Sequence, residues 1–111
     1  MRIAVLGAGM VGSAIAIDLA EDFVVTSFDV SETNLMKLQK RNRAIHLQQS
    51  NLQNFDQYTE WLKEFDIVVT AVPGSMGFDT LKAVINAGKN VADISFFPED
   101  VWQLDALAKE K

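Results

Sequence analysis

The strongest chemical signal in the sequence lies close to the start of the chain. Gly7-Ala8-Gly9-Met10-Val11-Gly12 places three glycines in the pattern G-x-G-x-x-G. In such a turn the first glycine permits a tight exit from a strand. The second lets the backbone approach a pyrophosphate with no Cβ in the way, and the third lets the following helix lie close against the strand. The N–H groups at the helix start, around Met10 and Val11, then point at the phosphates with the helix dipole behind them. Glycine-rich turns serve many purposes, so the context decides. Here an apolar run, Ile3-Ala4-Val5-Leu6, precedes the turn, and a segment with Val11, Ala14, Ile15 and Leu19 at helical spacing follows it. Strand, glycine turn and helix in that order make a dinucleotide fingerprint; the competing reading is a tight turn that holds nothing.

Asp29 is the most informative side chain. It ends the second apolar run, 17 residues after Gly12 and 22 after Gly7. An acid at that distance is where adenosine ribose hydroxyls find an acceptor. A carboxylate there also repels a 2′-phosphate, and the next residues, Val30 and Ser31, supply no arginine to hold one. NAD is therefore expected over NADP, with Val30 beside the ribose. The alternative is that Asp29 only starts a turn or caps a helix, as aspartates do.

Around these residues strand and helix alternate along the chain, which predicts an α/β fold with a parallel sheet. Strands are expected at 2–6, 23–28, 44–47, 67–71 and 91–94, and helices at 10–20, from Ser31 as N-cap, over a stripe of Phe55, Tyr58, Leu62 and Phe65, and at 77–87. In the fourth helix Phe78, Leu81, Val84 and Ile85 face inward, Gly88 is its left-handed stop, and Pro98 opens a last helix. Right-handed crossovers give a doubly wound sheet in the order 3-2-1-4-5. The loop Ala71-Val72-Pro73-Gly74 then lies beside the switch point between strands one and four, where it lines the cofactor or simply turns the chain.

Composition bounds the rest. At 111 residues the chain is one domain, large enough for a core and small for an enzyme with its own substrate site. Fifteen acidic against ten basic residues give a net charge of −5, which argues against nucleic-acid binding through phosphate neutralisation. The basic cluster Lys37, Lys40, Arg41 and Arg43 reads as a solvated helix end. No apolar run reaches membrane-spanning length, and the start lacks the apolar region of a signal peptide. With no cysteine there is no disulfide framework, thiol nucleophile or cysteine-ligated metal. Together these favour the cytoplasm. His46, the single histidine, has no partner at catalytic or metal-binding spacing, and Trp61 and Trp102 read as packing residues. Ser75, Ser95 and Thr70 have no base to activate them, so no catalytic residue and no metal ligand is assigned.

Three segments carry a resemblance to the N-terminal part of the saccharopine dehydrogenase and lysine dehydrogenase-like family. They are Val5 through Ala16, Ala71-Val72-Pro73-Gly74-Ser75-Met76-Gly77-Phe78, and Asn86 through Asp100, reading NAGKNVADISFFPED. The resemblance implies the Rossmann domain of an NAD(P)-dependent oxidoreductase of lysine metabolism, acting at an amino-acid C–N bond by hydride transfer. It implies cofactor contacts at Gly7, Gly9, Met10, Val11 and Asp29 and along 71–74, and it puts the strand end Asp93-Ile94-Ser95-Phe96 on the nicotinamide side. Where relatives often have an aspartate after the third strand, near the adenine, this chain has Gln48-Gln49. The amide oxygen of Gln48 can still accept from the adenine amino group.

In that family the substrate domain and the remaining catalytic residues lie beyond the length of this sequence. The expectation is a domain that binds cofactor without catalysis of its own, meeting an amino-acid substrate only with a further domain. A free-standing NAD(H)-sensing regulatory domain is the alternative. An open edge at strand five is expected to promote self-association.

Overall fold

The computed structural model describes residues 1–72 and 74–93, with the backbone alone for 74–78 and 93. Five parallel strands, β1 (Arg2–Leu6), β2 (Val24–Asp29), β3 (His46–Gln49), β4 (Ile67–Thr70) and β5 (Asn90–Asp93), form one sheet in the order β3-β2-β1-β4-β5. This is the doubly wound Rossmann order expected from the sequence. Helices α1 (Met10–Leu19), α2 (Glu32–Arg41), α3 (Tyr58–Leu62) and α4 (Gly74–Asn86) supply the crossovers.

Period-two alternation divides the core between the two faces of the sheet. Ile3 and Val5 of β1 join Val25, Ala16, Leu35 and Leu38 under α1 and α2. Ala4 and Leu6 point the other way and join Phe28, Tyr58, Leu62, Val68 and Val84 under α3 and α4. Covered on both faces, β1 is buried at Ile3, Ala4, Val5 and Leu6, which is why it reads as an unbroken apolar run. Tyr58 anchors the second layer. Its hydroxyl donates to the Leu52 carbonyl at 2.6 Å, and burial pushes its pKa up to about 12 against the pull of the Thr80 hydroxyl beside it.

Several boundaries move from their expected places. The third strand covers His46–Gln49 rather than 44–47, because the ladder runs from Thr26↔His46 to Asp29↔Gln49. It is an edge strand, so two glutamines cost it little. The stripe of Phe55, Tyr58, Leu62 and Phe65 is real, but a 3₁₀ turn at Phe55–Gln57 precedes a short α3, and Phe65 lies beyond its end. Helix α4 begins at Gly74, three residues earlier than expected. Glycine and serine are poor in a helix interior, yet the first turn needs no intrahelical N–H bonds and accepts them. Leu81, Val84 and Ile85 are buried as expected, and Gly88 has φ +77°. Pro73, Ile94 and the helix expected from Pro98 lie outside the described residues, as do Ser95, Phe96 and Trp102. So does the side chain of Phe78. Among the described residues no helix is long and apolar enough to cross a membrane.

Candidate cofactor-binding site

The glycine turn sits where the sheet changes winding direction, at the C-terminal end of β1 between β2 and β4. Open α/β sheets bind ligands in the crevice at such a point. Both neighbouring strands grip the turn. The Gly7 N–H donates to the Phe28 carbonyl at 2.7 Å, and the Ala71 N–H donates to the Leu6 carbonyl at 2.8 Å.

The three glycines are glycine for different reasons. Gly7 has φ +105°, a conformation side chains rarely adopt, and a Cβ there would run into the Ala71 carbonyl. A Cβ on Gly12 would strike the Gly7 carbonyl and lie 3.3 Å from the Ala71 Cβ. Both positions are therefore filled by the fold's own packing, and they bring Ala71 and Val72 against the turn. Gly9 differs. Its φ of −73° and ψ of −161° suit any residue, and a Cβ built there meets nothing within 4 Å among the described residues. No steric contact among the described residues demands a glycine at this position.

The open space off Gly9 borders the N-terminus of α1. Gly9 is the N-cap of that helix and has no side chain with which to cap it. By contrast, α2 is capped by Ser31, whose Oγ accepts from the Asn34 N–H at 3.2 Å. The first-turn N–H groups of α1, at Met10 and Val11, are thus offered to whatever lies beyond the turn, together with the positive end of the helix dipole. The Met10 side chain is 90% exposed and that of Val11 58%. Neither is spent on the core.

Asp29 stands against the same turn. Its Oδ2 accepts from the Ala8 N–H at 2.7 Å and its Oδ1 from the Ser31 N–H at 2.8 Å. The carboxylate therefore does the turn-forming work of an aspartate and also joins the end of β2 to the glycine turn. Val30, next in the chain, is 61% exposed. Gly7, Ala8, Gly9, Met10, Val11, Gly12, Asp29, Ala71 and Val72 are thus brought into one locality, with Gly74 opening α4 nearby in sequence. Gln48 is not tied to it. Paired with Phe28 across the ladder, it lines a groove of about 350 Å³ with Arg2, Thr26, His46, Trp61 and Glu64, along the face covered by α3. Its neighbour Gln49 donates through Nε2 to the Val30 carbonyl at 3.1 Å.

Sequence reasoning missed one residue of this locality, Ser13. It is 8% exposed, and its hydroxyl donates to the Ala8 carbonyl at 2.8 Å. A serine three residues into an apolar helix reads as a small inner-face residue, and only the turn's geometry shows its partner. Among the described residues no group of three or more histidine, cysteine, aspartate or glutamate side chains could hold a metal ion.

Solved structures share this architecture. The apo saccharopine dehydrogenase (L-Glu forming) of Saccharomyces cerevisiae matches 98% of the chain at 19% identity with a TM-score of 0.73. A UDP-N-acetylglucosamine 3-dehydrogenase of Acidithiobacillus ferrooxidans matches 99% at 22% identity and 0.77. A 3-hydroxyacyl-CoA dehydrogenase of Archaeoglobus fulgidus matches 86% at 24% identity and 0.68. The chain spans only 23%, 34% and 34% of these three proteins. At such identities the likeness shows the fold. No curated protein sequence matches the chain. The model of the family described as "Saccharopine dehydrogenase NADP binding domain" matches residues 3–111, nearly the whole chain, and the protein belongs to that family of NAD(P)-binding oxidoreductase domains.

Proposed function

We propose that the chain binds NAD(H) across the glycine turn, as the cofactor half of an oxidoreductase that moves a hydride at an amino-acid C–N bond. The observation that carries the reading is the unfilled space off Gly9 beside the uncapped start of α1. A pyrophosphate placed there receives the N–H groups of Met10 and Val11. The adenosine ribose then lies toward Asp29 and Val30, and the nicotinamide toward the β4 end at 71–74. The amino-acid substrate and the groups that act on it belong to a further domain, consistent with the small share of each relative that this chain spans. The outer edge of β5, which pairs with β4 alone among the described residues, is where such a domain or a second copy would join.

The family's description names NADP, and Asp29 argues for NAD in this member. Two unit charges 4 Å apart repel by about 1–4 kcal/mol, depending on how far water screens them. A 2′-phosphate beside the Asp29 carboxylate meets that repulsion with no cation in Val30-Ser31 to offset it. Fluorescence titration of the chain is therefore expected to give NADH an advantage over NADPH of about tenfold or more, since 1.4 kcal/mol is tenfold. Asp29→Ser should erase most of that margin. Equal affinities in the unaltered chain, or tighter NADPH, would contradict the assignment.

A further inference from the structure

An anion-binding turn must do two things. It must aim N–H groups at the ligand and keep carbonyl oxygens away from it. The second task is hard next to glycine, because a peptide group flanked by a residue without Cβ rotates easily. A half-turn of the Ala8–Gly9 peptide would swing the Ala8 carbonyl toward the phosphates and the Gly9 N–H away. We propose that Ser13 is the latch that prevents this, a positioning residue for phosphate binding whose hydroxyl holds the Ala8 carbonyl inside the protein.

Its hydroxyl donates to the Ala8 carbonyl at 2.8 Å, next to the first ordinary helical bond of α1, from the Ser13 N–H to the Gly9 carbonyl at 2.9 Å. From the other side, the Asp29 Oδ2 takes the Ala8 N–H at 2.7 Å. Ala8 is thereby fixed at both its N–H and its C=O. Ser13 and Ala8 are buried, at 8% and 3% exposure, so little water competes for either bond. The hydroxyl also reaches five residues back, past its own helix and into the turn. Serines inside helices ordinarily bond the carbonyl one turn back instead. The bond thus organises the turn, where a bond within the helix would serve the helix alone.

The inference rests on the dinucleotide reading above, and its test separates the two. The full chain and its Ser13→Ala variant are titrated with NADH, inorganic pyrophosphate and adenosine, with binding followed through backbone amide resonances. Alanine is smaller and favours helix, so the variant retains the fold, which its melting curve verifies. The expected result is a loss of about tenfold in affinity for NADH and for pyrophosphate, adenosine affinity unchanged, and a displaced Gly9 amide resonance before any ligand is added. Undiminished pyrophosphate binding by the variant would overturn the role of Ser13, as would an equal loss for adenosine. If the unaltered chain bound neither NADH nor pyrophosphate, the dinucleotide reading itself would fail.

Discussion

Gly12→Ala is expected to destabilise the domain by about 3 kcal/mol or more, a large fraction of the 5–15 kcal/mol typical of a folded protein. The added Cβ would strike the Gly7 carbonyl and press on the Ala71 side chain. Neither can yield cheaply. The Gly7 N–H is bonded to the Phe28 carbonyl and the Ala71 N–H to the Leu6 carbonyl, so both residues are tied to the central strands of the sheet. Helix α1 must back away from β1, which opens the layer formed by Ile3, Val5 and Ala16. Thermal unfolding should show a fall in midpoint of roughly 10–20 °C for a domain of this size. An unshifted midpoint would mean that the close approach of α1 to the turn is not a feature of the folded protein.

Gly9→Ala is expected to do the reverse. With φ and ψ open to any residue and no described residue within 4 Å of the new Cβ, the fold is not crowded by it. Restricting the unfolded chain at a compatible position stabilises by about 0.4–1 kcal/mol, which offsets the poorer N-capping by alanine, so the midpoint should stay within a few degrees of its original value. Cofactor affinity should collapse. The methyl group would stand in the space assigned to the pyrophosphate and hold it off the N–H groups of Met10 and Val11. A loss of about 100-fold in NADH affinity, near 2.7 kcal/mol, is expected by calorimetric titration. Retained affinity would place the phosphates elsewhere. The two variants differ by three positions in one motif, yet one should damage the fold and the other only the site.

That contrast marks how much was legible in the sequence. The order of elements and the sheet topology followed from apolar runs and helical spacing, because a doubly wound sheet buries its central strands on both faces. The place of Asp29 followed from its distance to the glycines. The separate roles of the three glycines also followed from the strand-turn-helix context, but the atoms that a Cβ at Gly7 or Gly12 would meet did not, since they depend on where Ala71 sits across the sheet. Gln48 shows the same limit. Displacing β3 from 44–47 to His46–Gln49 puts Gln48 opposite Phe28, inside the strand and above the α3 groove, where a loop residue reaching toward the adenine was expected. An edge strand with one half-buried residue, Leu47, gives hydrophobic pattern too little to fix its ends. Ser13 was hidden for another reason. Its role lies in a hydrogen bond to a backbone carbonyl, and no residue type announces that.

The most direct test of the central claim is a map of backbone amide shifts as NADH is added to the intact chain. Binding at the glycine turn gives the largest changes at Gly9, Met10, Val11 and Gly12, with further changes at Asp29, Val30 and Ala71. Changes confined to another concavity, such as the groove of about 620 Å³ lined by Phe55, Asp56, Thr59, Asp79 and Lys82, would contradict it.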